Sequence, residues 1–129
     1  MVQGHIEKGE TAYQTAAREL AEETSLNPEG FYQVSYVNRF YLAASDQIIL
    51  SAVFAVRIAC DAQVVLSDEH TDFAWVDAEE AMRRYPWPGQ RKSLKIAREQ
   101  FVLNAPRAES ILDELLRHPM IDRNAASDL

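Results

Sequence analysis

The sequence predicts one α/β domain of the α+β kind, in which helices pack on a β-sheet. Residues 12–24 repeat apolar side chains at the 3.6-residue period of a helix. Residues 31–42 and 47–59 are instead rich in the aromatic and β-branched residues that favour strands. The 129 residues suffice for a single domain with its own core, so we expect residues 1–129 to form one domain.

The first helix is predicted from both its start and its faces. Thr11 is followed three residues later by Gln14, which is the signature of a capping box. Apolar residues then recur at i, i+3, i+4 and i+7, which predicts that this face packs on the core. These residues are Tyr13, Ala16, Ala17 and Leu20.

Three carboxylates share another face of the same helix. Glu19, Glu22 and Glu23 are spaced i, i+3, i+4, so they project from one side. Like charges at this spacing repel one another by about 0.3 kcal/mol per pair, and a divalent cation would reverse that sign. Mg²⁺ takes oxygen ligands and often combines a few carboxylates with substrate phosphates. The face is therefore either a solvated acidic surface or a metal site.

Further strands and helices are predicted along the rest of the chain. The run 47–59 has no polar face, so we expect it to be a central buried strand. Cys60 at its end is expected to be a small buried hydrophobe. In chain order the remaining segments are a strand over 31–42 bent near Asn38, a hairpin connection over 43–46, strands over 63–66 and 73–76, a helix over 78–84 capped by Asp77, helices over 90–103 and 107–117, and a disordered tail over 124–129.

Residues 4–26 resemble the signature of the Nudix hydrolases. Eight of its nine fixed positions match at the family spacing, which is far more specific than a lone glycine-rich loop. The ninth is Ser25, where the family has a Gly just past the helix end, in the left-handed region. Ser at this position is expected to cost on the order of 1 kcal/mol or less. The matching residues are Gly4, Glu10, Arg18, Glu19, Leu20, Glu22, Glu23 and Leu26.

The resemblance implies a Nudix-type α/β/α sandwich with a mixed sheet. In the family, two or three strands precede the signature, whereas here it begins at Gly4. We therefore expect a sheet that lacks the usual N-terminal strands. Unpaired strand edges pair readily with other chains, so we expect a homodimer.

The resemblance also implies a role for each matching polar residue. Glu19 would be the base that activates the attacking water, and Arg18 and Glu10 would orient the loop and the carboxylates. The cofactor would be Mg²⁺ or Mn²⁺, which neutralises developing phosphate charge and lowers the pKa of bound water. The ligands of that ion would be the Gly4 carbonyl and the carboxylates of Glu19, Glu22 and Glu23.

Glu69 resembles a second acidic position of the family, six residues before a Trp, which here is Trp75. It would be a further metal ligand, or the base in place of Glu19; the alternative is a solvated loop glutamate. His70 beside it would contact phosphate or support a ligand. His5, next to Gly4, would approach phosphate.

Two residues near the start of the predicted helix over 90–103 are candidates for substrate binding. Trp87 either fills the core beneath that helix or stacks on a base, an interaction of about 1–3 kcal/mol. Arg91 would contact a polyphosphate. Residues 69–101 also loosely resemble the dATP and dihydroneopterin-triphosphate pyrophosphatase branch of the family.

Composition excludes several other classes. A net charge of −7 argues against nonspecific nucleic-acid binding, which needs a basic surface. A single cysteine excludes an internal disulfide and a cysteine metal cluster. No apolar run approaches 18 residues and no signal peptide opens the chain, so we expect a cytoplasmic protein that binds no membrane.

The sequence thus predicts a metal-dependent Nudix pyrophosphohydrolase that cleaves a nucleoside diphosphate linked to another group. The substrate class is a (deoxy)nucleoside triphosphate or a similar small phosphate compound. One alternative is a dinucleoside polyphosphate hydrolase, in which Tyr41, some sixteen residues past the signature, would stack on a base. The other is a catalytically impaired Nudix-fold module that binds nucleotide without turnover.

Overall fold

A computed structural model describes residues 1–104 of the chain. They form a mixed α+β arrangement, which confirms the predicted fold class. The elements in chain order are α1 (Ala12–Thr24), β1 (Gly30–Leu42), β2 (Gln47–Arg57), α2 (Ala78–Arg84) and α3 (Pro88–Phe101).

Helix α1 begins and ends as its sequence predicts. The Thr11 hydroxyl accepts a hydrogen bond from the Gln14 amide at 3.2 Å, and the Gln14 side chain accepts one from the Thr11 amide at 2.8 Å. These reciprocal bonds satisfy two of the free donors at the helix start. Ser25 follows the last turn with φ of 55°, in the left-handed region that the family Gly would occupy.

Strands β1 and β2 form an antiparallel hairpin whose register runs from Gly30 opposite Arg57 to Leu42 opposite Gln47. The register shifts between Gln33 and Val37, where β1 carries two more residues than β2. The bend predicted near Asn38 therefore lies earlier in the strand. Extra residues on one strand increase its local bend and twist.

Helices α1 and α3 cover opposite faces of this hairpin. On one face the Tyr13 ring of α1 meets the Phe31 ring of β1 edge-on, with centroids 4.8 Å apart. On the other face the Phe101 ring of α3 lies 5.3 Å from the Tyr32 ring. Neighbouring strand residues point to opposite faces, so the order of layers is helix, sheet, helix. The buried core under α1 is formed by Leu20, Leu26 and Phe31.

The prediction that residues 47–59 form a central buried strand is wrong. No residue of β2 is buried, and Ile48 and Leu50 are among the most exposed apolar side chains. The reason is that, within residues 1–104, β2 pairs with β1 alone. Cys60 is likewise exposed, since it lies in the turn after β2 and not in the core.

The two short strands predicted over 63–66 and 73–76 do not form in the described part of the chain. The amides of Val65 and Ser67 donate to the carbonyls of Thr24 and Glu23, at 3.0 and 3.2 Å. The first segment is thus bound to the end of α1. A strand requires another strand to pair with, and within residues 1–104 neither segment joins the sheet, which consists of β1 and β2.

Helices α2 and α3 follow in the predicted order. The Asp77 carboxylate accepts a hydrogen bond from the Glu80 amide at 2.8 Å and caps α2. Helix α3 starts at Pro88, two residues before the predicted position, because Pro is favourable at the first helical position. The predicted helix over 107–117 and the tail over 124–129 lie outside the described residues. Among the helices of residues 1–104, none is long and apolar enough to cross a membrane.

Candidate active site on helix α1

Arg18 lies at the centre of the acidic face of α1. Its Nε donates to Oε1 of Glu10 at 2.8 Å and its Nη2 donates to Oε2 of the same carboxylate at 3.1 Å. This is the two-pronged geometry in which a guanidinium binds a carboxylate most strongly. Arg18 therefore ties the loop that precedes α1 to the helix itself.

The same guanidinium reaches the predicted metal ligands. Its Nη1 donates to Oε1 of Glu19 at 2.7 Å and to Oε2 of Glu22 at 3.1 Å. Its Nη2 also donates to the His5 carbonyl at 3.3 Å. Hydrogen bonds to Glu10 and then to Glu19 and Glu22 raise the pKa of Arg18 above its ordinary range. One permanent cation thus offsets the repulsion among crowded carboxylates.

Glu10 is held by donors on three sides. Besides Arg18, it accepts from the Glu7 amide at 3.1 Å and from the Thr15 hydroxyl at 2.9 Å. Hydrogen bonds from Arg18 are the main cause that lowers the pKa of Glu10 from 4.5 to about 2. Thr15 is not among the predicted site residues, although its position three residues before Arg18 places both on one helix face.

A pH-dependent stability follows from this carboxylate. Because its pKa is lowered on folding, Glu10 stabilises the protein above pH 4.5, and this contribution is lost as the pH falls from 4.5 to about 2. We expect the urea midpoint of wild type to exceed that of Glu10→Gln at pH 7 and to converge with it near pH 2. The control is Glu99→Gln, on the exposed side of α3. A Glu10→Gln difference that stays constant over this pH range would contradict the assignment.

Glu23 lies at the other end of the acidic face and is the most covered of the three carboxylates. Its side chain is 13% exposed, and Nε2 of His70 lies 3.1 Å from its Oε2. The Glu23 carbonyl accepts from the Ser67 amide. The loop over 67–70 is therefore fastened to the last turn of α1, and His70 supports a predicted metal ligand.

Gly4 lies directly against the carboxylate of Glu19, which is itself only 17% exposed on its side chain. A Cβ added at Gly4 would overlap the Cγ, Cδ and Oε1 atoms of Glu19. A side chain at residue 4 would therefore displace the Glu19 carboxylate. Backbone and carboxylate oxygens are the ligand type that hard divalent cations take, and a metal role for these two residues stays a prediction.

The close approach gives a sharp test at one position. We expect Gly4→Ala to reduce metal-dependent hydrolysis by about tenfold or more, because the added methyl group displaces the Glu19 carboxylate. The unfolding midpoint should change little, since residue 4 is exposed. Gly9→Ala is not a suitable control, because Gly9 has a positive φ of 91°. The matched control is Ser45→Ala, in the exposed hairpin turn; equal activity of Gly4→Ala and this control would overturn the assignment.

The structure does not bring all predicted ligands together. Glu69 lies exposed in a turn at 68–69. Across residues 1–104, no three His, Cys, Asp or Glu side chains lie in an arrangement that could hold a metal ion. Arg18 accounts for part of this, since it engages Glu19 and Glu22 itself. The roles of Glu69 and of the three glutamates as ligands stay predictions.

The predicted substrate-binding residues lie outside this cluster of bonds. Trp87 is 66% exposed, so the interpretation that it fills the core is wrong, whereas base stacking stays a prediction. Nη1 of Arg91 donates to the carbonyls of Tyr85 and Pro86, at 2.6 and 3.0 Å, and fixes the loop before α3. The Tyr41 hydroxyl donates to Asp46 beside the hairpin turn.

Two comparisons with known proteins bear on the family of this chain. The family model described as the NUDIX domain matches residues 1–97. An octanoyltransferase of Myxococcus xanthus is 41% identical over 96 residues, which cover 73% of this chain and 27% of that protein. The chain spans about a quarter of the length of this curated relative, whose name describes a much longer protein. Because the family match covers well over half of the chain, this protein belongs to the Nudix family.

Proposed function

We propose that this Nudix protein is a metal-dependent pyrophosphohydrolase. Its substrate would be a nucleoside diphosphate linked to another group, with (deoxy)nucleoside triphosphates and similar small phosphate compounds as the substrate class. The observation that supports this most is the assembly of Glu19 and Glu22 around Arg18, with Gly4 against the Glu19 carboxylate. The family generally uses divalent ions and acts on small molecules.

Each residue of the site has a separate proposed task. Glu19, Glu22 and Glu23, with the Gly4 carbonyl, would hold Mg²⁺ or Mn²⁺, which supplies charge neutralisation and an acidified water when bound. Glu19 or Glu69 would accept the proton of the attacking water. Arg18, held by Glu10, positions the carboxylates and does not touch the reacting atoms.

The substrate side of the site is proposed from exposure and charge. Trp87 presents an exposed ring at the start of α3, which suits stacking on a base. His5 lies exposed beside Gly4, where a phosphate would approach the ion. Arg91 would contribute positive charge near Trp87, although two of its donor contacts hold the adjacent loop.

A second candidate function is nucleotide binding without turnover. The observation that favours it is that no three potential ligands converge within residues 1–104, since Arg18 occupies two of the carboxylates. In that case the protein would bind nucleotide but release no product.

One assay separates the two functions. Phosphate and pyrophosphate release is measured on the full chain with a panel of nucleoside triphosphates and dinucleoside polyphosphates, with and without Mg²⁺ or Mn²⁺. Nucleotide binding is followed in parallel by quenching of tryptophan fluorescence. Metal-dependent release supports the hydrolase and its preferred substrate defines the branch. Binding without release from any member of the panel supports the second function and overturns the first.

A further inference from the structure

Strand β2 presents an outer edge that carries none of the devices by which proteins protect sheet edges. Within residues 1–104 it pairs only with β1. The ten residues from 47 to 56 include no charged residue, no Pro and no register irregularity of β2 itself. Long, uncharged and apolar edge strands pair with another strand unless charge, Pro or a bulge prevents it. As far as residues 1–104 extend, this edge is therefore open to a further strand.

The outer edge of β1 is protected in three ways. Its register shift between Gln33 and Val37 interrupts a regular edge. The Ser35 amide donates to the side chain of Gln100 at 2.8 Å, and the Gln100 amide group donates back to the Ser35 hydroxyl. Arg39 adds a charge. Pairing through β2 is thus favoured over pairing through β1.

An uncovered apolar face adjoins the open edge. The side chains on the α1 face continue past the end of that helix, where Ile48 and Leu50 are 75% and 70% exposed. Val37 opposite Ala52 and Tyr41 opposite Ile48 belong to the same face, which also carries Arg39 opposite Leu50. The four large apolar side chains of this face offer on the order of 400 Å² of apolar surface per copy, at about 100 Å² each. They are Val37, Tyr41, Ile48 and Leu50. A stable interface buries about 600–1,000 Å² per partner, so this face suffices only together with a paired strand edge.

Charge does not oppose the approach of two identical hairpins. Residues 37–52 contain one cation, Arg39, and one anion, Asp46, in a chain whose net charge is −7. The rest of the surface carries the repulsive excess. A second copy of this chain therefore meets no net charge at this hairpin.

We propose that two copies of the chain associate by antiparallel pairing of their β2 strands about a two-fold axis at Ala52. Ala52 is the midpoint of β2, so this register gives the longest overlap. It sets Ile48 of one copy opposite Val56 of the other, and Leu50 opposite Phe54. Opposed residues in an antiparallel pair share a face, so the α1 faces of both copies become continuous. The α1 helix of each copy then lies beside the uncovered Ile48 and Leu50 of the other.

A cysteine placed on the proposed axis tests the register. Opposed Cα atoms of an antiparallel pair lie about 4.5–5.5 Å apart, which suits a disulfide. Because Cys60 is exposed, both variants carry Cys60→Ser. We expect Ala52→Cys to form a disulfide-linked dimer under mild oxidation and Ala44→Cys, in the hairpin turn, not to do so. Equal cross-linking of both variants, or none of either, would overturn the proposal.

A second pair of variants tests the association without cross-linking. Light scattering across a dilution series should give wild type a mass of twice 14.6 kDa at high concentration. Leu50→Lys should raise the dissociation constant by about tenfold or more, because it places two like charges at the symmetric interface. Leu103→Lys, at a Leu after α3 that is 61% exposed against 70% for Leu50, should not. Wild type that stays at 14.6 kDa at every concentration would overturn the proposal, independently of any hydrolase activity.

Discussion

Replacing Glu23 or Glu22 with Gln is expected to abolish Mg²⁺-dependent hydrolysis by the proposed enzyme. Each substitution keeps the size of the side chain but removes the charge that a hard cation requires. Loss of a group that only orients a metal ligand typically costs roughly 10–100-fold, so loss of a ligand should cost more than about 100-fold. The rate of product release at saturating Mg²⁺ measures the effect.

The control for these variants is Glu99→Gln on α3. It removes the same charge from an exposed helical position far along the chain from the acidic face. Its rate should equal that of wild type. Full activity in Glu22→Gln or Glu23→Gln would show that the acidic face of α1 is not the site, even if the chain proves to be a hydrolase.

Replacing Arg18 with Gln is expected to damage both stability and activity. The guanidinium bonds to Glu10, Glu19 and Glu22, so its loss leaves three carboxylates without their common cation. We expect the melting temperature to fall by several degrees and the rate to fall by roughly 10–100-fold, as for a residue that positions ligands. Arg18→Lys keeps the charge but not the two-pronged geometry. Its melting temperature and its rate should therefore lie between those of wild type and of Arg18→Gln.

The response to metal separates the role of Arg18 from a merely structural one. In Arg18→Gln the crowded carboxylates repel each other more strongly, so Mg²⁺ should raise the melting temperature of the variant more than that of wild type. Suppose that Arg18→Gln has a lower melting temperature but that Mg²⁺ raises it no more than it raises that of wild type. This result would contradict the prediction that the carboxylates bound by Arg18 are metal ligands.

The elements that sequence predicted well are those with strong local signals. Thr11 and Gln14 predict the start of α1, and Asp77 predicts the start of α2, because the hydrogen bonds of a helix cap join residues within three positions of each other. The left-handed turn at Ser25 was predicted through the family Gly at that position. The start of α3 was missed by two residues because Pro88 was assigned to a loop, although Pro is favourable in the first helical turn.

What sequence did not predict depends on neighbours distant along the chain. The apolar composition of β2 predicts a buried strand, but burial requires partners on both sides, and only β1 pairs with it in the part that the structure describes. The segments 63–66 and 73–76 have strand-like composition, but within residues 1–104 neither has a strand to pair with. Strand propensity reflects packing context more than an intrinsic backbone preference.

In the candidate site, too, local features are predicted from the sequence and contacts between distant residues are not. The helical spacing of Glu19, Glu22 and Glu23 follows from sequence, since i, i+3 and i+4 positions share a face. The contact between His70 and Glu23 joins residues 47 positions apart, and the sequence alone does not pair these two residues. Loop position and tertiary contact set such pairs, and local spacing carries no signal for them.

The proposed function requires that the acidic face of α1 bind a divalent metal ion. Calorimetric titration of Mn²⁺ into the full chain tests this requirement most directly, with a Glu22→Gln, Glu23→Gln double variant and the Glu99→Gln control. We expect saturable binding to wild type and to the control, and none to the double variant. Binding of equal strength to all three proteins would contradict it.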